Sequence, residues 1–465
     1  MKFNKELLLE KGNLILKEAE RLGASQASVT IDLIDEALTR LANSIIDQSV
    51  AEKHVRLRIT LYYGKKSGTV SVEVFNNDAI KEAVLNASKI AKISPENKDF
   101  KSLPEPQLYS SELRTKDLVS DVTLNTTPEE RAEYSKVAIG SAHDVDKSIR
   151  AVAGLISNST AEKLIMNSLG IEAYRAFTYS RVLLTILANK SGEEAAGWAA
   201  DFQRDFSKLQ VTEVSEKAAR KAAEGFGMKV IEPGDYEVVL EPAAVGNLQF
   251  YMSLIGFSAT AHHDHRSFLR DKIGEKIFSE QLNLWSDPLD KRHVLASMFD
   301  DEGVPTKRLN LISEGVPKNI AYDTLSADKD GVESTGHCTY SRFMRRNVPF
   351  PNYVFVGEGD SSLDEMIAET RNGILITHFN YQNPVNPPKG VFTGLTRDGT
   401  WLIENGEIKH PLKTLRYTDA VTRFFKSIDL VGKYPKLNDS STDLISAITP
   451  PMKLPSLIFT GSSEM

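Results

Sequence analysis

The chain has 465 residues, of which 41% are hydrophobic and 26% are charged, proportions typical of a folded globular protein. Because single hydrophobic cores stop growing at about 250 to 300 residues, this length predicts two or three domains. The net charge of −7 and the pI near 5.8 argue against a nucleic-acid-binding surface, which needs clustered basic residues.

Cys338 is the single cysteine, which excludes an internal disulfide and suits a reducing compartment. The first residues mix acidic and basic side chains with apolar ones, unlike the apolar core of a signal peptide. No uninterrupted apolar stretch reaches the roughly 18 residues of a membrane-spanning helix. We therefore expect a cytoplasmic protein that binds neither a membrane nor a nucleic acid.

Residues 1–95 are predicted to form an N-terminal domain that combines helices and strands. Residues 5–22 place apolar side chains on one face at helical spacing, and Gly23 can end this helix. Residues 28–34 and 53–63 alternate as strands, and a glycine-containing turn leads from the second into a third strand at 69–75. Asp78 can cap a further helix that runs to Ala91.

Residues 96–228 are predicted to form a linker and a central β-rich domain. The segment from Pro95 to Pro128 is polar and interrupted by prolines, as expected of a connection, and a helix with a good N-terminal cap follows it. Strands are predicted at about 149–157, 161–166, 171–189 and 193–205, with a hairpin turn at Asn167–Gly170. An alanine-rich helix at about 212–226 ends the domain.

Residues 229–465 are predicted to form a large β-rich C-terminal domain. A buried strand at 236–240 leads into an apolar helix from about Ala243 to Ala261. Most of the remainder consists of short strands with Gly and Pro turns, interrupted by a helix at 361–370. The predicted fold class is α+β, with N-terminal α/β and central β-rich units followed by a large β-rich C-terminal domain.

Generic catalytic motifs are missing from the sequence: it has no Walker loop, no GxGxxG after a strand and no GxSxG elbow. His337 and Cys338 are neighbours, but adjacent side chains point in different directions, and a catalytic pair must meet in space. His262, His263 and His265 are the candidate metal ligands. Zinc ligands on a helix normally stand three to five residues apart, so a solvated loop is the simpler interpretation.

Eight short motifs resemble those of the TldD/PmbA family and occur in the family's order over about residues 17–461. Each motif alone is weak, but the shared order is specific. They are Thr39–Ser44, Asn167–Gly170, Arg266–Leu269, Phe299–Thr306, Ser334–His337, Gly394–Gly399, Trp401–Ile408 and Leu457–Gly461.

The resemblance implies that this chain has lost the family's zinc motif. TldD-type chains resemble zinc peptidases with an HExxxH helix and a later cysteine ligand. An ungapped comparison places those helix positions on Phe250, Tyr251 and Ile255, and there is no cysteine near Lys433–Asp439. The chain therefore resembles the PmbA-type, or TldE-type, subunit. This implies no catalytic residues and no cofactor in this chain, with zinc in the partner subunit.

The implied function is that of a cytosolic TldD/TldE-type metallopeptidase subunit that acts on peptides or unfolded proteins. The subunit itself would be non-catalytic or substrate-positioning, and its partner would be a TldD-type chain in a heterodimer or larger heteromer. The matched motifs contain possible peptide-contacting residues, each of which has a structural ion pair or turn as its alternative role: Arg266, Asp300, Glu302, Arg397 and Glu404.

Two other functions stay open from the sequence. The first is a self-sufficient metallopeptidase whose ligands have moved to His262, His263 or His265, with His337 or His378 contributed by other elements. The second is a peptide-binding scaffold protein without a catalytic partner.

Overall fold

The computed structural model describes residues 3–341, 344–439 and 446–462. The first half of the chain alternates helices with long strands. Its elements, in chain order, are α1 (Lys5–Arg21), β1 (Gln26–Ala42), β2 (Ile45–Tyr63), β3 (Lys66–Val72), α2 (Asn77–Ile93), α3 (Asp121–Asn125), α4 (Pro128–Val145), β4 (Ile149–Asn167), β5 (Glu172–Lys190), β6 (Glu193–Gln203) and α5 (Val211–Ala223).

The second half has shorter strands and few helices. Its elements are β7 (Gly234–Leu240), α6 (Pro242–Gly256), α7 (Ala259–His263), β8 (Leu284–Ser286), β9 (Leu309–Ser313), β10 (Val316–Pro317), α8 (Thr324–Asp330), β11 (Cys338–Ser341), β12 (Arg346–Pro349), β13 (Val354–Val356), α9 (Leu363–Ala368), β14 (Asn372–Asn386), β15 (Val391–Glu404), β16 (Glu407–Pro411), β17 (Leu415–Ala420), α10 (Val421–Phe424), β18 (Leu430–Val431), β19 (Lys436–Asp439), β20 (Ser446–Thr449) and β21 (Met452–Ser462).

Within the described residues, the first half forms one six-stranded antiparallel sheet in the order β3-β2-β1-β4-β5-β6. β1 pairs with β4 from Ser28 opposite Asn167 to Leu41 opposite Gly154. The boundary predicted at residue 95 therefore crosses a continuous sheet, and the division into domains stays a prediction. The two strands predicted at 149–157 and 161–166 form the single strand β4, because the polar residues between them also pair with β1 and β5.

The two faces of this sheet pack against different parts of the chain. On one face, Val29, Ile31 and Ile59 belong to a buried core with residues of α1 and α2, whereas Leu41 belongs to a second core with residues of α4 and α5. The other face packs Phe177 and Tyr179 against Val294 of the second half and also carries charged side chains. Lys163 there lies 3.3 Å from Asp32.

The second half contains a closed ring of strands. β14 pairs with both β7 and β15, which are also connected through β21 and β17, so the strands close on themselves. A second sheet has the order β10-β9-β8-β13-β20-β19, and α6 packs between it and the ring. The predicted α+β class with a large β-rich C-terminal part is confirmed.

The helix predicted at 243–261 is interrupted: α6 ends at Gly256 and α7 begins at Ala259. Ser258 between them forms a bridge with Ala321, which draws the chain out of helical geometry. In the described part of the chain, none of the helices combines the length and the apolar character needed to cross a membrane.

The contact between β3 and α2 depends on a residue without a side chain. A Cβ added to Gly68 would lie 2.3 Å from the carbonyl oxygen of Ala87 and 2.3 Å from the backbone nitrogen of Ala91. We expect Gly68→Ala to lower the free energy of unfolding by about 1 to 3 kcal/mol, because backbone atoms must separate to admit the methyl group.

Gly140 provides the matched control for this substitution. It lies within α4, and nothing stands within 4 Å of its added Cβ. Gly140→Ala should be neutral or stabilising by up to about 1 kcal/mol, since alanine is the better helix former. Thermal and urea unfolding of both variants measures the difference, and equal stability of the two variants would contradict this account of the β3–α2 contact.

Candidate functional site

Helix α6 occupies the position of the zinc-motif helix implied by the sequence resemblance. β7 leads directly into it through Glu241, and Pro242 takes the first helical position, where its missing N–H is not needed. Phe250 and Tyr251 are half-buried, and Ile255 is 4% exposed. The helix therefore presents these three positions to the interior of the second half.

Each of these side chains takes part in packing. The ring of Phe250 lies 5.9 Å from that of Phe350, and the ring of Tyr251 lies 5.8 Å from that of Phe392. The Tyr251 hydroxyl donates a hydrogen bond of 2.6 Å to the backbone oxygen of Gln382.

None of the three positions provides an imidazole or a carboxylate, the groups by which the HExxxH helix binds zinc and activates water. The residues present do not fit a zinc ion at this helix. The later segment Lys433–Asp439 contains no thiol either.

A buried ion pair, which no sequence pattern indicated, stabilises the start of α6. Glu241 is 4% exposed, and its two carboxylate oxygens lie 2.6 Å from Lys221 Nζ and 2.5 Å from Lys217 Nζ. Lys221 also donates to the Thr377 hydroxyl at 2.8 Å. These contacts connect α5 of the first half to α6 and β14 of the second.

The pKa values of Glu241 and Lys221 are shifted, but both residues stay charged at neutral pH. Burial alone would raise the pKa of Glu241, but Lys221 and Lys217 lower it to about 2. Burial lowers the pKa of Lys221 to about 8, although Glu241 opposes this change. In this ion pair, each charge offsets the cost of burying the other. Removing one of the two residues would leave the other as a buried, unpaired charge.

The histidines predicted as relocated ligands turn toward different partners. His262 Nε2 lies 2.9 Å from the Gly256 oxygen and 3.0 Å from the Ser267 hydroxyl. His263 Nε2 lies 2.8 Å from Asp330, whereas His265 is exposed and has a φ of 55°. Since no two of these imidazoles share a partner in these contacts, the arrangement gives no support to a common metal ion.

Three of the five motif residues lie apart from one another in the second half. Arg266 forms a 2.9 Å ion pair with Asp264, and Arg397 lies 3.4 Å from Asp398. Asp398 also pairs with His378 at 3.3 Å, and this imidazole stacks on Trp198 of the first half, 4.5 Å between ring centres. Glu404 is exposed beside the β15–β16 turn, opposite Glu407. Of the five, Asp300 and Glu302 share one location.

Asp300 organises the loop that contains both of these acids. One of its carboxylate oxygens accepts the backbone N–H groups of Glu302 at 2.9 Å and Val304 at 3.0 Å, and the other accepts that of Cys338 at 2.9 Å. Gly303 takes a φ of 81° beneath Ile171, a conformation that favours glycine. The loop is thereby connected both to β11 and to the first sheet.

Next to this loop, Glu302, Asp323 and Cys338 form a group that we call the acidic cluster. Potential ligand atoms of the three residues lie within 4.8 Å of one another, the one such group found among the residues that the structure describes. Glu302 accepts the backbone N–H of Thr324 at 2.8 Å, and Asp323 caps α8 by accepting that of Ser326 at 2.8 Å. Cys338 is 3% exposed.

In and beside the acidic cluster, the pKa values of Glu302, Asp300 and Cys338 are raised, which favours the protonated form of each. Burial, with Asp323 and Asp300 nearby, raises the pKa of Glu302 to about 8. Burial also raises the pKa of Asp300, to about 7, against its three backbone hydrogen bonds. The pKa of the Cys338 thiol is raised well above its ordinary value by burial and by the surrounding acids. A thiol held in this state is a poor nucleophile.

The pKa of Asp301 is lowered, whereas that of its direct neighbour Asp300 is raised. Its carboxylate pairs with Lys163 on the first sheet and accepts the backbone N–H of Tyr340 at 2.8 Å. Burial would raise its pKa, but Lys163 and Arg58 lower it to about 2. Asp301 thus stays charged and connects the two halves of the molecule.

The chain is similar to known proteins over most of its length. Two family models match it, the PmbA/TldA metallopeptidase central domain at residues 123–225 and the PmbA/TldA metallopeptidase C-terminal domain at residues 233–461. It is 25% identical to metalloprotease PmbA of Escherichia coli O157:H7 over 401 residues, 86% of this chain and 85% of that protein. It is 22% identical to a metalloprotease of Methanocaldococcus jannaschii over 380 residues, 81% of this chain and 82% of that protein.

The crystal structure of TldE from Thermococcus kodakarensis has the same fold. The two structures match with a TM-score of 0.87 at 23% sequence identity, over 97% of this chain and 100% of the other. The family resemblance expected from the motifs is confirmed.

The raised pKa of Glu302 predicts how stability depends on pH. The folded-state pKa of about 8 exceeds the ordinary value of 4.5, so the folded chain keeps a proton that the unfolded chain releases. This contribution to stability is complete below about pH 4.5 and is lost as the pH rises toward 8, at up to about 1.4 kcal/mol per pH unit. Glu302→Gln keeps the acceptor for Thr324 but cannot ionise, so its melting temperature should fall less over that range.

Thermal unfolding across this pH range, compared with wild type, measures the effect. The matched control is Glu96→Gln, because Glu96 is exposed in the linker. Its pH profile should follow that of the wild type. A Glu302→Gln profile parallel to the wild type would show that Glu302 ionises normally in the folded chain.

Proposed function

The chain belongs to the PmbA/TldD family of metallopeptidases, and we propose that it is a non-catalytic, substrate-positioning subunit of a cytosolic TldD/TldE-type complex. The observation that carries the proposal is the packing of α6. At the three zinc-motif positions, Phe250, Tyr251 and Ile255 pack within the second half. A helix committed to packing in this way supplies neither a metal ligand nor a base.

In this proposal the partner subunit supplies the zinc and the general base. The partner is a TldD-type chain with an HExxxH helix, and the substrates are peptides or unfolded segments. This chain contributes binding rather than bond cleavage.

The β11–β12 hairpin offers this chain a place to hold an extended peptide. Because the ring is closed, each of its strands already pairs on both edges. A peptide strand therefore cannot be added to β14, β7, β21, β17 or β15. In the described residues β12 pairs with β11 alone, and it ends beside Phe350, the ring neighbour of Phe250. An added peptide strand would be held by main-chain hydrogen bonds next to these aromatic side chains.

Purification of the chain alone and with a co-expressed HExxxH-bearing chain tests the proposed function. We expect the chain alone to retain no stoichiometric zinc after dialysis and to cleave no unfolded protein. The complex should retain stoichiometric zinc and cleave unfolded protein. Stoichiometric zinc with peptidase activity in the chain alone would overturn the proposal and would instead favour relocated ligands. Failure of the two chains to co-purify would also overturn it.

Arg346 at the start of β12 is exposed and provides a test of the peptide edge. In the complex, Arg346→Glu should raise KM for an acidic peptide about tenfold with kcat unchanged, because it replaces an attractive charge at the edge by a repulsive one. Steady-state kinetics with acidic and neutral peptides measures the split. Lys276→Glu, a matched reversal at an exposed side chain, should leave both constants unchanged. An equal KM for the acidic peptide in both variants would exclude β12 as the peptide edge.

A further inference from the structure

Three segments of the second half meet at the acidic cluster. Glu302 belongs to the loop 299–306, Asp323 caps the start of α8, and Cys338 begins β11. One potential ligand atom from each residue lies within 4.8 Å of the other two. Asp323 is 6% exposed and Cys338 is 3% exposed, whereas Glu302 is half-buried. Protein therefore surrounds most of the cluster, and Glu302 connects it to solvent.

The acidic cluster has no positively charged partner in the described part of the chain. None of the ion pairs there involves Glu302, Asp323 or the adjacent Asp300. Asp301 in the same loop is instead paired with Lys163. Because buried charges are stable only when they are paired or bind a metal, the acids of the cluster must either keep their protons or share a cation.

Two buried groups at the acidic cluster also have no hydrogen-bond partner. Among the described residues, no hydrogen bond reaches the sulfur of Cys338. The hydroxyl oxygen of Thr324 is likewise buried and unpartnered. It belongs to the residue whose backbone N–H donates to Glu302 at 2.8 Å, so it lies beside the cluster. Unpartnered buried polar groups are expected where an ion or a water binds.

We propose that Glu302, Asp323 and Cys338 bind one divalent cation of the zinc type, with a water molecule as the fourth ligand. The ion has a structural role, because it joins the loop 299–306 to the start of α8 and to β11. This inference goes beyond the proposed function, since it gives the chain an ion of its own that the family resemblance did not imply.

The ligand atoms determine the class of ion. Two carboxylates and one thiolate suit zinc and similar ions, whereas Mg²⁺ and Ca²⁺ prefer oxygen ligands alone. In a tetrahedral zinc site with these ligands, neighbouring ligand atoms lie about 3.4 to 3.6 Å apart. Since the potential ligand atoms already lie within 4.8 Å of one another, each needs to move by less than about 1 Å.

Both carboxylates of the cluster are oriented by the backbone and keep one oxygen free. Glu302 accepts the N–H of Thr324 through Oε2, and Asp323 accepts that of Ser326 through Oδ1. The described residues donate no hydrogen bond to the other oxygen of either carboxylate. Carboxylates that bind metals are commonly held by hydrogen bonds in this way.

The proposed ion exchanges with solution. It must displace protons from its ligands, so we expect binding at neutral pH to be weak enough for dialysis to remove the ion. The expectation that the dialysed chain retains no stoichiometric zinc therefore stands.

Titration of the chelator-treated chain with Co²⁺ at about pH 8 tests the proposal, because thiolate bound to Co²⁺ gives a charge-transfer absorption band. We expect this band to saturate at one Co²⁺ per chain and to disappear when Zn²⁺ displaces the cobalt. Cys338→Ser should abolish the band. Glu302→Gln keeps the acceptor for Thr324 but removes the charge, so it should weaken Co²⁺ binding about tenfold or more.

Two control variants should bind Co²⁺ like the wild type. Glu96→Gln neutralises an exposed carboxylate of the linker, and His265→Gln removes an exposed imidazole. Far-UV circular dichroism and thermal unfolding confirm that each variant is folded. A wild type without the thiolate band would overturn the proposal. Equal Co²⁺ affinity in the wild type, Cys338→Ser and Glu302→Gln would also overturn it, because the ion would then bind elsewhere.

This test and the test of the proposed function can fail separately. A saturable thiolate band in a chain that does not co-purify with an HExxxH-bearing chain would support the ion site and overturn the subunit role. An active complex in which this chain gives no such band would overturn the ion site and leave the proposed function standing.

Discussion

The rest of the structure depends on the pairing of β1 with β4, which fixes the two faces of the first sheet. Its register places Asp32 opposite Lys163 and Ile31 opposite Leu164, so the charged pair and the apolar pair point to opposite faces. A slip by one residue would turn Lys163 toward the helices and the apolar set toward the second half. With the observed register, Lys163 contacts Asp301, and this partly buried ion pair connects the two halves of the molecule.

Around this sheet, the sequence predicted the positions of the helices better than the lengths of the strands. Periodicity located α1 and α2 to within a few residues, capping residues located the start of α4, and alanine-rich composition located α5. The strand predicted at 28–34 continues to Ala42, and the break predicted near residues 158–160 does not exist. In both places polar side chains interrupt the pattern. They are tolerated because neighbouring strands satisfy the backbone and the side chains find partners, as Asn158 does with Arg131 at 2.8 Å.

Only the residues of the candidate site that are close together in the sequence could be grouped from the sequence alone. The motif that contains Asp300 and Glu302 forms one loop, and the turn hydrogen bonds of Asp300 lie within five residues of sequence. Asp323 and Cys338 reach the same place through separate segments, and nothing in their local sequence indicates this convergence. The same holds for Glu241 and Lys221, whose pairing depends on how α5 packs against the second half. Side chains that meet through tertiary packing leave no periodic signal in one dimension.

The side chains at positions 250, 251 and 255 of α6 also determine how this helix is held. Successive residues on a helix point about 100° apart, so Phe250 turns toward Phe350 of the hairpin segment while Tyr251 turns toward the strand ring. A histidine at 250 or a glutamate at 251 would each need solvation or a charged partner, and the aromatic surroundings provide neither. The helix is instead stabilised by ring contacts at its centre and by Glu241 between two lysines at its start. Introducing metal ligands at these positions would therefore require new packing on both sides of the helix.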